Sequence, residues 1–450
     1  MDSQIDAGST GSRLHLFEWE PRLLHNEDEV QQSVSGCKIS VPGTESRWTD
    51  RLSPGISSFA DVPDDQLVQK LADYFDPLMD FARNLLQSKQ DIFHDFPIYL
   101  RATAGMRTLK YEDRARIITA VRQLFSNASY SPFYFEDEHA RVISGEEEAI
   151  YGWAGVNFLL GTLIEDSQGA GTVVNPRLTY GALDLGGAST QISFHQPNSD
   201  IMSSLFKLQI GQGKHWNLYA HSFLDYGINQ ATERFEARLI DGLNADERIM
   251  QGVHNPCLPG GASKEIRNNI HFDEHGVETF SYSEEYGTGS GYQLANLTNV
   301  NKFGDYEECA ELVYNILHKE QNGWCDFAHR GDCSFAGVYQ PELPSQAENA
   351  GEFLAFSNFY HVWDFLRLPS RASLADLEEA TKVACAMNEW ELKEFAGDRV
   401  DDDLLNEMCF RSTYAFQLLR NGYGFHMDDY ITATNVSSGF CTSSILHSFV

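Results

Sequence analysis

Apolar and polar positions alternate in the same way at two places in the chain, and each predicts a strand that turns back on itself. Near the start, Ile5 leads into a glycine- and serine-rich turn, DAGSTGSR at 6–13, and the alternating LHLFEWE follows. The pattern returns at 178–194, LTYGALDLGGASTQISF, where a strand reaches Asp184, turns through Gly186 and Gly187 and continues as STQISF. The two Asp-x-Gly turns begin at residues 6 and 184, and 184 − 6 = 178 is the offset of an internal duplication of one half-domain.

Between the repeats the period changes to that of a helix. Residues 64–92 place Leu67, Leu71, Phe75, Leu78, Phe81 and Leu85 on one face. The strand FPIYLRATAG and the amphipathic helix DRARIITAVRQLF come next. Alternating β and α elements predict an α/β fold whose sheets are covered by helices, in two lobes meeting at a cleft. The run AIYGWAGVNFLLGTLI at 149–164 contains Asn157, lies between Glu148 and Glu165, and reads as a buried helix. No segment reaches the roughly 18–20 uninterrupted apolar residues that span a bilayer. Residues 245–300 are polar and rich in Gly and Asn, which predicts long loops, while helices dominate the last third.

Composition narrows the partners. The 450 residues leave room for two or three domains, and 42% apolar with 12% aromatic residues is globular. Charge is the outlier: 33 Lys+Arg against 65 Asp+Glu leaves −32. Such a surface repels nucleic acid and anionic membranes, so an anionic ligand has to be held by backbone N–H groups or a cation.

Turns of the DAGSTGS type supply those groups. Gly8 and Gly11 allow close approach, and successive N–H groups on one concave side cradle a phosphate without basic side chains. A single copy also fits an ordinary hairpin. Two copies, each with an aspartate at the strand end, suit Asp6 and Asp184 disposed around a hydrated divalent cation on a polyphosphate.

In RVISGEEEAIYGW, Ser144 and Glu147 form a capping box and Glu146 suits the helix dipole, which leaves Glu148 without a local role. It is either a plain surface glutamate or a base for an attacking water. The segment ATAGMR, with Thr103, ends a strand in small residues and reads equally as a structural turn. His221 in LYAHSFLDYG reads as a core or loop histidine, and no Ser-His-Asp order or HExxH pattern is present.

Eight cysteines are present, six of them between residues 257 and 409, with no CxxC pair. A disulfide framework fits better than zinc ligation, although scattered buried thiols remain an alternative, and the sequence leaves the pairing open. Sequons at Asn127, Asn296 and Asn435 are compatible with a secretory route. The opening MDSQIDAGST has neither a basic n-region nor an apolar h-region of a signal peptide.

Taken together the motifs resemble the five conserved regions of the apyrase family, the nucleoside triphosphate diphosphohydrolases. They are DAGSTGSR at 6–13, ATAGMR at 102–107, GEEEAIYGWAGVN at 145–157, ALDLGGASTQ at 182–191, and CSFAGVYQP at 333–341 with FLAFSNFY at 353–360. The resemblance implies two ribonuclease H-like lobes of the actin/hexokinase/Hsp70 type, with residues 1–144 plus 428–450 in one and 145–427 in the other. It implies removal of terminal phosphates from nucleoside tri- and diphosphates with Ca²⁺ or Mg²⁺, by direct attack of water and without a phosphoenzyme. Glu148 would be the base, with Ser189 and Gln191 holding the water and Thr103 near the terminal phosphate. Asp6 and Asp184 would hold the metal through its waters. Gly8, Ser9, Thr10, Gly11, Arg13, Gly186, Gly187 and Ala188 would line the phosphate turns. Disulfides Cys257–Cys309, Cys325–Cys333 and Cys385–Cys409 are implied, and no oligomeric state is.

The pattern departs from the family in four respects. Asp225 stands where cell-surface members have a further cysteine, and Cys37 lacks its usual partner, which favours a soluble secreted or lumenal type. Only Ile5 precedes Asp6 where several apolar residues are usual. The base-stacking pair of surface members is replaced by His361 and Leu404, which leaves Phe356, Tyr360 and His361 as base neighbours. The closing TNVSSGFCTSSILHSFV lacks the expected Trp and Leu-Gly pair. Two further readings therefore stand beside the hydrolase: a polyphosphatase on the same fold, and an impaired nucleotide-binding protein whose short first strand leaves the first turn unfolded.

Overall fold

Hydrogen bonds on both edges, more than apolar side chains, make the first strand. The computed structural model describes residues 1–19, 43–45, 47–163, 179–196, 204–210, 214–272, 278–280, 292–319, 325, 333–344 and 351–435. Its first sheet contains β1 (Asp2–Ala7), β2 (Ser12–Phe17), β3 (Thr49–Leu52), β4 (Ile98–Ala102) and β5 (Ala140–Val142), in the order β3-β2-β1-β4-β5. β1 is antiparallel to β2 and parallel to β4, with Ser3 and Gln4 fully buried in the ladder. The expectation that a short start leaves the first turn unfolded is thus overturned: paired main chain satisfies its own polar groups whatever the side chains are. β2 departs from simple alternation too, since Leu14, His15, Leu16 and Phe17 are all buried. Burial, reinforced by Arg13, pushes the His15 imidazole down to about 3.

The described residues fall into two compact units. One lies within Met1–Gly227, Pro344–Ser357 and Asn435–Val450, the other within Ile228–Leu343 and Asn358–Thr434. Both Asp-x-Gly turns belong to the first.

In the first unit, α1 (Asp64–Leu85) starts with Asp64 and Asp65 at its positive end and buries Leu67, Leu71, Phe75, Leu78, Met79 and Ala82, with Phe81 and Leu85 partly buried. Each fully buried Leu or Phe stabilises the fold by about 1.5–3 kcal/mol. The segment ATAGMR becomes the short α2 (Ala104–Arg107), and α3 (Tyr111–Phe125) packs on α1. Then α4 (Gly145–Leu159) covers a second sheet of β6 (Gly181–Leu185), β7 (Ser189–His195), β8 (Leu205–Ile210), β9 (Lys214–Leu224) and a returning strand, Phe353–Ser357. Their order is Phe353–Ser357, β6, β7, β9, β8. Trp153, Ala154 and Val156 of α4 pack with Trp216, Leu218 and Leu354, as the apolar run predicts. Among the described residues no helix is long and apolar enough to cross a membrane.

The second unit corrects the reading of 245–300 as loops. β10 (Val253–His254), β11 (Ser263–Asn268) and β14 (Gln293–Thr298) form a sheet in the order β10-β14-β11, and β12 (Ile270–Phe272) pairs with β13 (Glu278–Phe280). Only one face of that sheet is apolar: Ile266, Ala295 and Leu297 pack with Ile240, Val253 and Leu258, and the polar opposite face dilutes the pattern in the sequence. Helices dominate from residue 358 to 417, as expected, and the implied disulfides Cys257–Cys309, Cys325–Cys333 and Cys385–Cys409 are all formed. Cys37, Cys441 and most of the closing segment lie outside the described residues.

Candidate active site

Both turns close with the same main-chain bond. Gly8 N–H donates to the Gly11 carbonyl at 2.9 Å, and Gly186 N–H donates to the Ser189 carbonyl at 2.9 Å. The offset is again 178 (186 − 8 and 189 − 11), so the repeat seen in the sequence holds bond for bond. At each strand end the aspartate has a cross-strand partner: Asp6 faces Arg13, and Asp184 faces Gln191.

Backbone presses on the turns from behind. A Cβ on Gly105 would lie 2.6 Å from Ser9 Cα, one on Gly55 2.5 Å from the Gly8 and Ser9 carbonyl oxygens, and one on Gly227 2.4 Å from Ala188 N. These contacts hold Ser9, Gly187 and Ala188 in place. Asp225, at φ 68°, donates its N–H to the Ala188 carbonyl at 2.8 Å. Aspartate tolerates that left-handed conformation. Thr103 N–H bonds the Ala7 carbonyl at 3.1 Å, fixing the start of α2 against the first turn.

Helix α4 delivers Glu148. Ser144 and Glu147 make the expected capping box, and Arg141 binds Glu147 at 2.7 and 2.9 Å. Glu148 instead turns inward. Arg107 Nη2 donates to its Oε2 at 2.7 Å and Gln191 Nε2 at 3.1 Å. The same Gln191 amide lies 2.6 Å from Ser189 Oγ and 3.0 Å from Ser222 Oγ, while Arg107 Nη2 lies 3.3 Å from Ser189 Oγ. Burial raises the Glu148 carboxyl above the usual range, with Arg107 opposing. Asp184 is pushed up to about 7 by burial, then by the charge of Glu148, against a hydrogen bond from Ser357; Asp6 adds to the rise. Asp184 therefore sits within electrostatic reach of both Glu148 and Asp6.

Two acceptors in this cluster have no hydrogen-bond partner, buried as they are: Asp184 Oδ1 and Gln191 Oε1. Orphaned buried oxygens normally answer to a ligand or water. Among the described residues no group of three or more His, Cys, Asp or Glu is arranged to hold a metal directly. The set fits a divalent cation that keeps its water shell, with carboxylates binding through the waters.

Arg107 and Ser222 complete the cluster without having been assigned roles from the sequence. Arg107 was visible as the last residue of ATAGMR. For Ser222 the useful signal was period-2 alternation: His221 attracts notice, yet on β9 its neighbour faces Gln191. His221 points the other way, edge-on to Phe223 with ring centroids 4.6 Å apart.

Of the residues expected near a base, Phe356 is a core side chain, 1% exposed in the cluster with Trp153 and in contact range of Gly152. It lies opposite Asp184 in the strand register and packs beneath α4 at Gly152. Tyr360 and His361 lie on the helix Asn358–Phe365 of the second unit, with ring centroids 5.7 Å apart.

The sequence profile of the GDA1/CD39 (nucleoside phosphatase) family matches residues 4–437. Ectonucleoside triphosphate diphosphohydrolase 1 of Bos taurus is 31% identical over 433 residues, covering 94% of this chain and 74% of that protein. The Golgi apyrase of Saccharomyces cerevisiae is 28% identical over 460 residues, covering 96% and 65%. Among solved structures, a nucleoside triphosphate hydrolase from Neospora caninum superposes with a TM-score of 0.59 at 16% identity, covering 96% of this chain and 88% of that one. This likeness extends to the fold.

Proposed function

The chain belongs to the GDA1/CD39 nucleoside phosphatase family, and from that premise we propose that it cleaves terminal phosphates by attack of a water that Glu148 deprotonates. It is a phosphoanhydride hydrolase of actin/hexokinase/Hsp70 fold, acting on nucleoside tri- and diphosphates with a divalent cation. The observation that carries the mechanism is the convergence of Glu148, Gln191 and Ser189 beside two orphaned buried oxygens.

In this reading the main-chain N–H groups of both turns, with Ser9 and Thr10, grip the phosphates, and Arg13 and Thr103 border them. Asp6 and Asp184 hold the hydrated cation, Ca²⁺ or Mg²⁺. Once bound, that cation neutralises charge on the phosphoryl oxygens. Ser189 and the free Gln191 Oε1 orient the water. Its oxygen forms the new P–O bond to the terminal phosphorus as the bridging P–O bond breaks, its proton passes to Glu148, and the electron pair of the broken bond leaves on the bridging oxygen with the nucleoside di- or monophosphate, which frees inorganic phosphate. Arg107 keeps Glu148 ionised until then. Residues 1–144 supply the first turn, and the chain from residue 145 supplies the base and the second.

We place the protein in the secretory route, as a secreted or lumenal form. Three disulfides suit an oxidising compartment, and relatives include a Golgi apyrase. Asn127 and Asn435 are exposed and Asn296 half-buried, which allows N-glycosylation. The test is phosphate release from ATP, ADP, GDP and UDP with Ca²⁺, Mg²⁺ or EDTA. Release is expected only with a cation, and Glu148→Gln should lower kcat by roughly 10²–10⁴-fold. Undiminished turnover in that variant would sink the base assignment.

A further inference from the structure

The residue opposite Gln191 on the neighbouring strand has no part in the mechanism above. Register places Asp184, Gln191 and Ser222 side by side on three adjacent strands, β6, β7 and β9, so all three side chains project to one face. That face is the one α4 covers, as Ser193 Oγ donating to the Ala149 carbonyl at 2.7 Å shows.

Ser222 touches two things there. Its Oγ accepts from Gln191 Nε2 at 3.0 Å. Its Cβ and Oγ also occupy the space beside Gly145, the first residue of α4, where an added Cβ would come within 2.4 and 2.6 Å of them. Gly145 lies three residues before Glu148, about one turn of the same helix. Ser222 therefore sets the gap between the start of α4 and β9, and through its bond to Gln191 bears on the 3.1 Å contact of Gln191 with Glu148.

Donor arithmetic adds a second constraint. The Gln191 amide nitrogen has two hydrogens and three acceptors in range, Glu148 Oε2, Ser189 Oγ and Ser222 Oγ, while Oε1 has none. One of the three is always released. Ser222 Oγ, packed beside Gly145, holds the amide nitrogen on the Glu148 side when Ser189 Oγ turns to the water.

We propose that Ser222 is a positioning residue for hydrolysis: it fixes the Gln191 amide so that Nε2 addresses Glu148 and Oε1 is presented to the attacking water. This rests on the roles given above to Gln191 and Glu148. Because the water is oriented only for attack, Ser222 acts on turnover and not on nucleotide affinity.

The test is a double-mutant cycle of Ser222→Ala and Gln191→Ala, read in kcat and KM with ADP and excess Mg²⁺, with melting temperatures confirming the fold. Ser222→Ala should lower kcat by roughly three- to tenfold, the worth of one hydrogen bond, and leave KM within twofold. In the Gln191→Ala background it should have almost no further effect, because both residues act through one amide. Ser222→Gly, which also vacates the space beside Gly145, should behave like Ser222→Ala or worse. A wild-type kcat in Ser222→Ala, a loss confined to KM, or fully additive losses would overturn the proposal. Glu148→Gln run in parallel separates the two readings. If it is inactive while Ser222→Ala is unaffected, only the role of Ser222 falls; if it is active, the base assignment falls first.

Discussion

Arg107 and Glu148 form an ion pair at 2.7 Å between side chains that are 11% and 15% exposed, 41 residues apart in the chain. The pair joins α2, which follows strand β4, to α4, the helix that carries Glu148. It sets opposing influences on one carboxylate: burial raises its proton affinity and the guanidinium lowers it.

Removing the guanidinium should therefore move the pH dependence. As the proposed base, Glu148 works as the carboxylate, so activity should be lost as pH falls through its pKa. In Arg107→Met that pKa rises further, and the acid limb of kcat/KM should shift to higher pH. Arg107→Lys should restore most of the wild-type profile. An unmoved limb in Arg107→Met, read from pH–rate profiles with ADP, would contradict this.

Asp184 predicts how the free protein responds to pH. Its folded pKa of about 7 lies above the unfolded value of a carboxyl near 4, so the contribution is favourable below the unfolded value and is lost as pH rises through about 7. In EDTA the melting temperature should fall across that window. Millimolar Mg²⁺ or Ca²⁺ should offset the fall, by more at pH 8 than at pH 5. Equal cation effects at both values, in thermal melts, would count against Asp184 as the cation's partner.

Gly105 tests the support of the first turn. An alanine there brings Cβ to 2.6 Å from Ser9 Cα, main chain that has little room to retreat. Gly105→Ala should raise KM for ADP roughly ten- to hundredfold through displacement of Ser9. Isothermal titration with a non-hydrolysed nucleotide analogue would show the same loss.

The disulfides of the second unit should act on stability. Cys257–Cys309 closes a separation of 52 residues and Cys385–Cys409 one of 24. Loop-closure entropy puts their contributions at about 4 and about 3 kcal/mol. Urea unfolding of the paired alanine variants would measure both, the first pair costing more.

Much of this is legible in the sequence alone. The Asp-x-Gly turns, the capping box at Ser144 and Glu147 and the amphipathic α1 are local patterns whose side chains meet within a few residues, so spacing alone reports them. The strands between residues 253 and 298 were not, because a sheet with one polar face and short strands carries few apolar positions to count. Phe356 illustrates a different gap. Its place in a motif suggested a base contact, but which way a strand residue points depends on the register with β6, a long-range property. Arg107 and Ser222 were hidden for the same reason: each matters through a partner more than 30 residues away.

The repeated turns, finally, are alike in backbone and unlike in one rung. Position 13 of the first copy corresponds to position 191 of the second (13 + 178 = 191), and an arginine stands in one and a glutamine in the other. The guanidinium balances the charge of Asp6, whereas the amide leaves one oxygen of Asp184 free and offers its own. The difference at that rung gives the repeat a polarity: in the proposed mechanism both turns grip phosphate, and only the second also addresses the water.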